Sequence, residues 1–88
     1  MSNKYLVMAL RKPSFDPAVI EPHRQFLNEL LERGQLVESG RFTDGTGGAY
    51  VIHAESLEAA REIVFTDPVH TTGSSELIVY EWEIAVFA

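Results

Sequence analysis

The order in which hydrophobic spacing changes along the chain constrains the fold more than any single motif. Residues 5–10 sit in "KYLVMALRK", a short apolar run bounded by charges, and read as a strand. The stretch "PSFDP" breaks it and carries two helix-start signals, Asp16 before Pro17 and then Pro22. Residues 23–33 follow at helical spacing, and Gly34 ends the helix just past its last turn. "QLVESGRF" and "AYVIHA" read as the second and third strands, and the glycines of the intervening "TDGTGG" suit a hairpin. Ser56 is a good N-cap for a second helix over residues 57–66, with Glu58 in its first turn. Pro68 prevents that helix from continuing and biases Asp67 away from helical geometry. A final strand spans residues 76–87. The order β-α-β-β-α-β predicts an α+β, ferredoxin-like fold: a four-stranded antiparallel sheet with two helices on one face. Right-handed crossovers give strand order 4-1-3-2. With no repeat and no linker, the 88 residues are expected to form one domain over residues 1–88.

The strands carry a second expectation. Tyr5, Val7 and Ala9 face one way in the first strand, and Leu6, Met8 and Leu10 the other. In the last strand Ile78, Tyr80, Trp82, Ile84 and Val86 share one phase. Leu77, Val79, Ala85 and Phe87 share the other, with Glu81 and Glu83 among them. A sheet covered by helices on one side only should be polar on its other side. Apolar residues on both sides therefore predict a homodimer packed sheet against sheet. A net charge of −6 argues against nucleic acid, whose binders need a basic face. No run approaches the ~20 apolar residues of a membrane span, and "MSNKYLVMALRK" has too short an apolar run for a signal peptide. The chain has no cysteine, which excludes disulfides and thiolate metal ligands and suits a reducing, cytoplasmic setting.

Placing the polar residues on this topology gathers some of them. Phe26, Leu27, Leu30 and Leu31 form the stripe of the first helix, and His23 lies on that stripe one turn earlier. Leu57, Ala60 and Val64 share a face of the second helix, and the same spacing reaches Asp67. The first helix begins, and the second ends, at the same end of the sheet, so His23, Asp67, His70 and Asp44 belong together there. His53 lies at the other end. A carboxylate at a helix C-terminus opposes the macrodipole at a cost of roughly 0.3–1 kcal/mol, so Asp67 should have a compensating partner. An imidazole would serve: Asp67 would fix one ring nitrogen and leave the other as a general base near neutral pH. Tyr5, Tyr80 and Trp82 are candidates for an apolar wall. Plainer readings apply to the same residues. A histidine on an apolar helix face is often just packed, an Asp before Pro often a stop signal, His70 an exposed loop residue, and Asp44 a turn residue. No recognised metal-ligand spacing, phosphate loop or nucleophile motif is present.

Taken in order, several pieces resemble one family. They are "PHRQFLNELLERGQL" with its His23, the following "ESGRF", the glycine-bearing hairpin before "AYVIHA", "AESLEAAREIV", the Asp67–Pro68 pair and the terminal "IVYEW". Together they resemble the YCII-related (YciI-like) family of small bacterial proteins over nearly the whole chain. The resemblance implies a dimeric α+β barrel built on a ferredoxin-like protomer, and a His–Asp pair in a pocket, which maps onto His23 and Asp67. Most members lack an assigned reaction, and some relatives eliminate halide from chloromuconolactones or related hydroxyquinones. His23 would then abstract or relay a proton, with Asp67 orienting it. Arg11 and Ser39 are candidates, on chemistry alone, for holding an anionic substrate. His70 is a candidate for the pocket rim that the family pattern does not supply. The expected function is a cofactor-independent lyase, isomerase or dehalogenase acting on a small cyclic oxygenated substrate. The alternatives are a small-molecule binding module without turnover, and a dimer in which the pair is purely structural.

Overall fold

β1 (Lys4–Arg11) runs through the middle of the sheet, as befits the strand that is apolar on both faces. The structure is a computed structural model that describes residues 3–87. β1 pairs antiparallel with β4 (Ser75–Trp82) on one side and with β3 (Gly47–Ile52) on the other; β3 in turn pairs with β2 (Leu36–Arg41). The order β2-β3-β1-β4 is the expected 4-1-3-2 read from the opposite edge.

α1 (Ile20–Glu32), α2 (Leu57–Val64) and a short α3 (Pro68–Thr71) cover one face of this sheet. Leu30, Ala60, Val64 and Val69 from the helices close over Tyr5, Val7, Tyr50, Ile52 and Leu77 from the strands. Complete burial of Leu- and Val-sized side chains stabilises by about 1.5–3 kcal/mol each, so this layer is what drives the helices onto the sheet. Ser56 caps α2 as expected, its hydroxyl accepting from the Ala59 amide, and Gly34 closes α1 at φ 75°.

Several boundaries differ from the sequence reading. α1 starts at Ile20 because a 3-10 turn over Pro17–Val19, capped by Asp16, feeds directly into it. Pro22 is tolerated there because the first-turn amides have no helical acceptor to lose. α2 ends at Val64 and β4 at Trp82, both earlier than expected. Leu31 is 58% exposed, since one residue past Leu30 the helix has already turned about 100° from the sheet.

Two irregularities shape the end of the sheet where β1 finishes. Gly47 and Gly48 lie where backbones nearly touch: a Cβ on Gly48 would stand 2.3 Å from the Gly40 carbonyl oxygen, and one on Gly47 2.0 Å from that of Ala9. With Ala9 opposite Gly48, the helix-facing side of the sheet has almost no side-chain bulk there. β2 carries a bulge between Leu36 and Glu38. Before it Leu36 faces Ile52; after it Ser39 faces Tyr50 and Arg41 faces Gly48. The extra residue shifts the strand by one, and a one-residue shift moves every following side chain to the other face. Ser39 and Arg41 therefore share the helix-facing side with Tyr50.

Among the described residues none covers the opposite face. Leu6, Met8 and Leu10 lie beside Val51 and Ala49 of β3 and Ile78 and Tyr80 of β4; Tyr80 is 51% exposed and Trp82 44%. Among the described residues no helix is long and apolar enough to cross a membrane.

Candidate active site

Asp67 is fully buried and yet ionisable, so its surroundings must replace the water it has lost. Three groups do so. His23 Nδ1 is 2.8 Å from Oδ1, the Val69 amide donates to Oδ1 at 3.0 Å, and the Tyr50 hydroxyl donates to Oδ2 at 3.0 Å. The donors come from α1, α3 and β3, so the carboxylate ties three elements together.

The local reason for Asp67 differs from the one read in the sequence. Pro68 does not simply end a helix; it occupies the first position of α3, and Asp67 is that helix's N-cap. A carboxylate is favourable at an N-cap, where it accepts from an amide with no helical partner. The expected macrodipole penalty is thus absent, and His23 answers a burial requirement rather than a dipole one.

A carboxylate only accepts, so Nδ1 of His23 carries the proton in this contact and Nε2 is left with a lone pair. The ring is 23% exposed and borders a cleft of about 470 Å³ between α1 and the hollow end of the sheet. That volume suits a small organic ligand. Arg11 and Ser39 line the same cleft, as do Tyr50, Arg24, Arg41 and Ser75. A groove of about 430 Å³ between α1 and α2 contains none of the candidate residues.

His70 is not in the cleft. The turn of α3 sends Val69 inward, and the His70 ring packs instead against Phe65, 4.7 Å between centroids, on the outside. Tyr80 and Trp82 do not wall the cleft either, because strand alternation puts them on the uncovered face. Tyr5 is buried on the helix side but beyond Val7, away from the cleft, with its hydroxyl 3.2 Å from Glu81; burial, and then that carboxylate, raise its pKa. Asp44 serves the hairpin turn, accepting from the hydroxyl and amide of Thr46, which hold its carboxyl below the usual range. Among the described residues no three potential metal ligands are gathered.

Tyr50 is the residue that sequence reasoning missed. Its ring lies 6.0 Å from that of His23, and burial together with Asp67 pushes its phenol far above the ordinary tyrosine pKa. It is therefore a permanent donor to Asp67. The available signal was its phase: two residues before the buried Ile52, it had to face inward, and a buried phenol needs a partner.

With this geometry in view, comparison with known proteins is decisive for kinship. The YCII-related domain matches residues 4–83. The chain belongs to the YCII-related family. The uncharacterized protein YjpA of Bacillus subtilis is 44% identical over 80 residues, 91% of this chain and 94% of that protein. Among solved structures, 5-chloro-2-hydroxyhydroquinone dehydrochlorinase of Burkholderia phenoliruptrix, in complex with 2,5-dihydroxybenzoquinone, superposes with a TM-score of 0.72 at 20% identity. The match covers 93% of this chain and 95% of that one. A hypothetical protein of Arabidopsis thaliana superposes at 0.63 with 17% identity, over 99% and 91% of the two chains. At these identities the two structures establish a shared fold.

The Tyr50–Asp67 contact predicts a pH signature. An unfolded tyrosine loses its proton near pH ~10, whereas folded Tyr50 keeps it, so this residue's contribution is complete below about pH 10 and declines above it. Tyr50→Phe should cost about 1–3 kcal/mol at neutral pH, by leaving Oδ2 without its donor, and should shrink the alkaline loss of stability. Urea unfolding of both proteins from pH 7 to 11 checks this; parallel alkaline limbs would contradict it.

Proposed function

We propose that this protein is a cofactor-independent enzyme of the lyase, isomerase or dehalogenase type. Its His23–Asp67 pair would move a proton on a small cyclic oxygenated substrate. The observation that carries the proposal is the division of labour within one imidazole. Nδ1 is pinned to a buried carboxylate, while the other nitrogen belongs to a ring that borders a ligand-sized cleft. A base with a fixed tautomer and orientation is what general-base catalysis needs, and such a base is worth typically 10²–10⁴-fold in rate. The Burkholderia dehydrochlorinase, which shares the fold, acts on a chlorinated hydroxyhydroquinone and supports a reaction of this kind.

In the proposed step Nε2 takes a proton from a carbon next to a carbonyl, and the C–H electrons pass to the carbonyl oxygen as an enolate. The enolate then collapses in one of two ways. It re-forms the carbonyl and expels a leaving group with its bonding pair from the neighbouring carbon, forming C=C, or, where a ring C=C extends it to a dienolate, it takes the proton back from the imidazolium at the far end of that conjugated system. Asp67 stabilises the imidazolium throughout without accepting its proton. Arg11 and Ser39, which line the cleft, would contact the substrate, and His70, packed against Phe65 outside it, would not.

Two expected outcomes follow. With a panel of five- and six-membered lactones and hydroxyquinones in deuterated water, the wild type should exchange or eliminate at the carbon next to the carbonyl, read by proton NMR. His23→Gln should lower that rate by about 10²–10⁴ while remaining folded. An unchanged rate would refute His23 as the base, and ligand binding with no chemistry in either protein would favour a binding module.

The working unit in this proposal is a homodimer. The uncovered face brings Leu6, Met8, Ile78, Tyr80 and Trp82 together, a contiguous apolar surface of the sort that a second sheet covers. Sedimentation equilibrium should give twice the chain mass at micromolar concentration, and Trp82→Glu should shift it toward one. A monomeric wild type would contradict this.

A further inference from the structure

The cleft beside His23 is electropositive in a chain that is otherwise acidic. The protein has 7 Lys and Arg against 13 Asp and Glu, yet Arg11, Arg24 and Arg41 all border this one cleft, and among the described residues no Asp or Glu does. Among the described residues none of the three arginines pairs with a carboxylate; the ion pair present is that of His23 with Asp67. Arg11 instead rests over the Phe15 ring, 4.1 Å from its centroid, which holds the guanidinium in place without neutralising it.

Placement on the sheet makes the cluster directional. Tyr50, opposite Ser39, marks the row nearest His23. One same-face step along the strands, roughly 7 Å, lies the row of Arg41, Gly48 and Ala9. One step further, Arg11 stands directly opposite Ser75 of β4. The floor between is bare because Gly48 and Ala9 put almost nothing into it, and Arg41 faces it only because of the bulge in β2.

Ser75 supplies an independent observation. It is only 3% exposed and lines the cleft, and its hydroxyl has no hydrogen-bond partner among the described residues, unlike that of its neighbour Ser74, which meets Thr72. Among the described residues no side-chain oxygen or nitrogen that is wholly enclosed lacks a partner. The Ser75 hydroxyl therefore keeps an opening, and the cleft it lines provides one. A buried hydroxyl left open beside an unpaired arginine is the arrangement that receives an oxyanion.

We infer that the substrate is a ring compound bearing an oxyanion group, a carboxylate or a phosphate. Arg11, Arg41 and Ser75 bind that group, one to two same-face steps, roughly 7–14 Å, along the sheet from the Tyr50 row beside His23. This inference rests on the proposal that the cleft is the substrate site, but not on any chemistry occurring there. Arg24, at the mouth, adds to the field that draws an anion toward an acidic protein.

Binding of benzoate, phenyl phosphate and benzamide, measured by titration calorimetry, separates the possibilities. Benzoate or phenyl phosphate should bind at least about tenfold more tightly than the isosteric, neutral benzamide, and the tighter of the two identifies the oxyanion. Arg11→Ala and Arg41→Ala should each weaken the anion by about tenfold or more and leave benzamide unchanged, whereas Arg11→Lys should recover part of the loss. Ser75→Ala should weaken the anion without altering its dependence on salt. His23→Asn, which removes the base, should keep anion binding within about threefold; binding that survives while turnover is lost separates this inference from the catalytic one. Equal affinity for benzoate, phenyl phosphate and benzamide, undetectable binding of both anions at millimolar concentration, or anion binding indifferent to Arg11 and Arg41 would overturn it.

Discussion

One buried carboxylate organises the end of the sheet that carries the candidate site. Asp67 has lost its water completely, and an isolated charge in that position would cost several kcal/mol. The protein meets the requirement with donors from three separate elements: the imidazole of α1, the phenol of β3 and the first free amide of α3. Each donor is fixed by the contact as much as the acid is. The His23 ring acquires one tautomer and one orientation, Tyr50 is locked as a neutral donor, and α3 is held against the sheet. Under the proposed function, stability and chemistry share a single interaction, because the group that satisfies the carboxylate is the ring that borders the cleft.

The cleft is equally a consequence of strand geometry. Removing side-chain bulk at Ala9 and Gly48 opens space over the sheet, and close backbone approach at Gly47 and Gly48 leaves no room for anything larger. The bulge in β2 then turns Ser39 and Arg41 toward that space. Neither feature touches the His–Asp pair, yet together they decide what can lie beside it. The proposed base and the proposed anion subsite are thus set by independent parts of the fold, and either could change while the other remained.

Much of this was legible in the sequence. Alternating strand and helix periods specified the topology and strand order, and helical spacing carried Leu57, Ala60 and Val64 on to Asp67, which placed it at the same end of the sheet as His23. The reason for Asp67 was not legible, because a proline after an acid signals both the end of one helix and the start of another, and only packing distinguishes them. Tyr50 could have been found from its strand phase. The β2 bulge could not: "QLVESGRF" contains nothing that marks an extra residue, since a bulge is settled by pairing with β3 rather than by local composition. His70 was misleading for the same reason as the proline. Without α3, nothing told which side of that turn faced the cleft.

The account stands on the claim that buried Asp67 holds His23 with its proton on Nδ1 and leaves Nε2 as the base. The direct test is a long-range proton–nitrogen correlation spectrum of the nitrogen-15-labelled protein, recorded at a pH where His23 is neutral. The structure predicts a pyrrole-type Nδ1 and a pyridine-type Nε2 for His23, while the exposed His53 and His70 average between tautomers. A protonated Nε2 on neutral His23, or the same averaging as the other two, would contradict it.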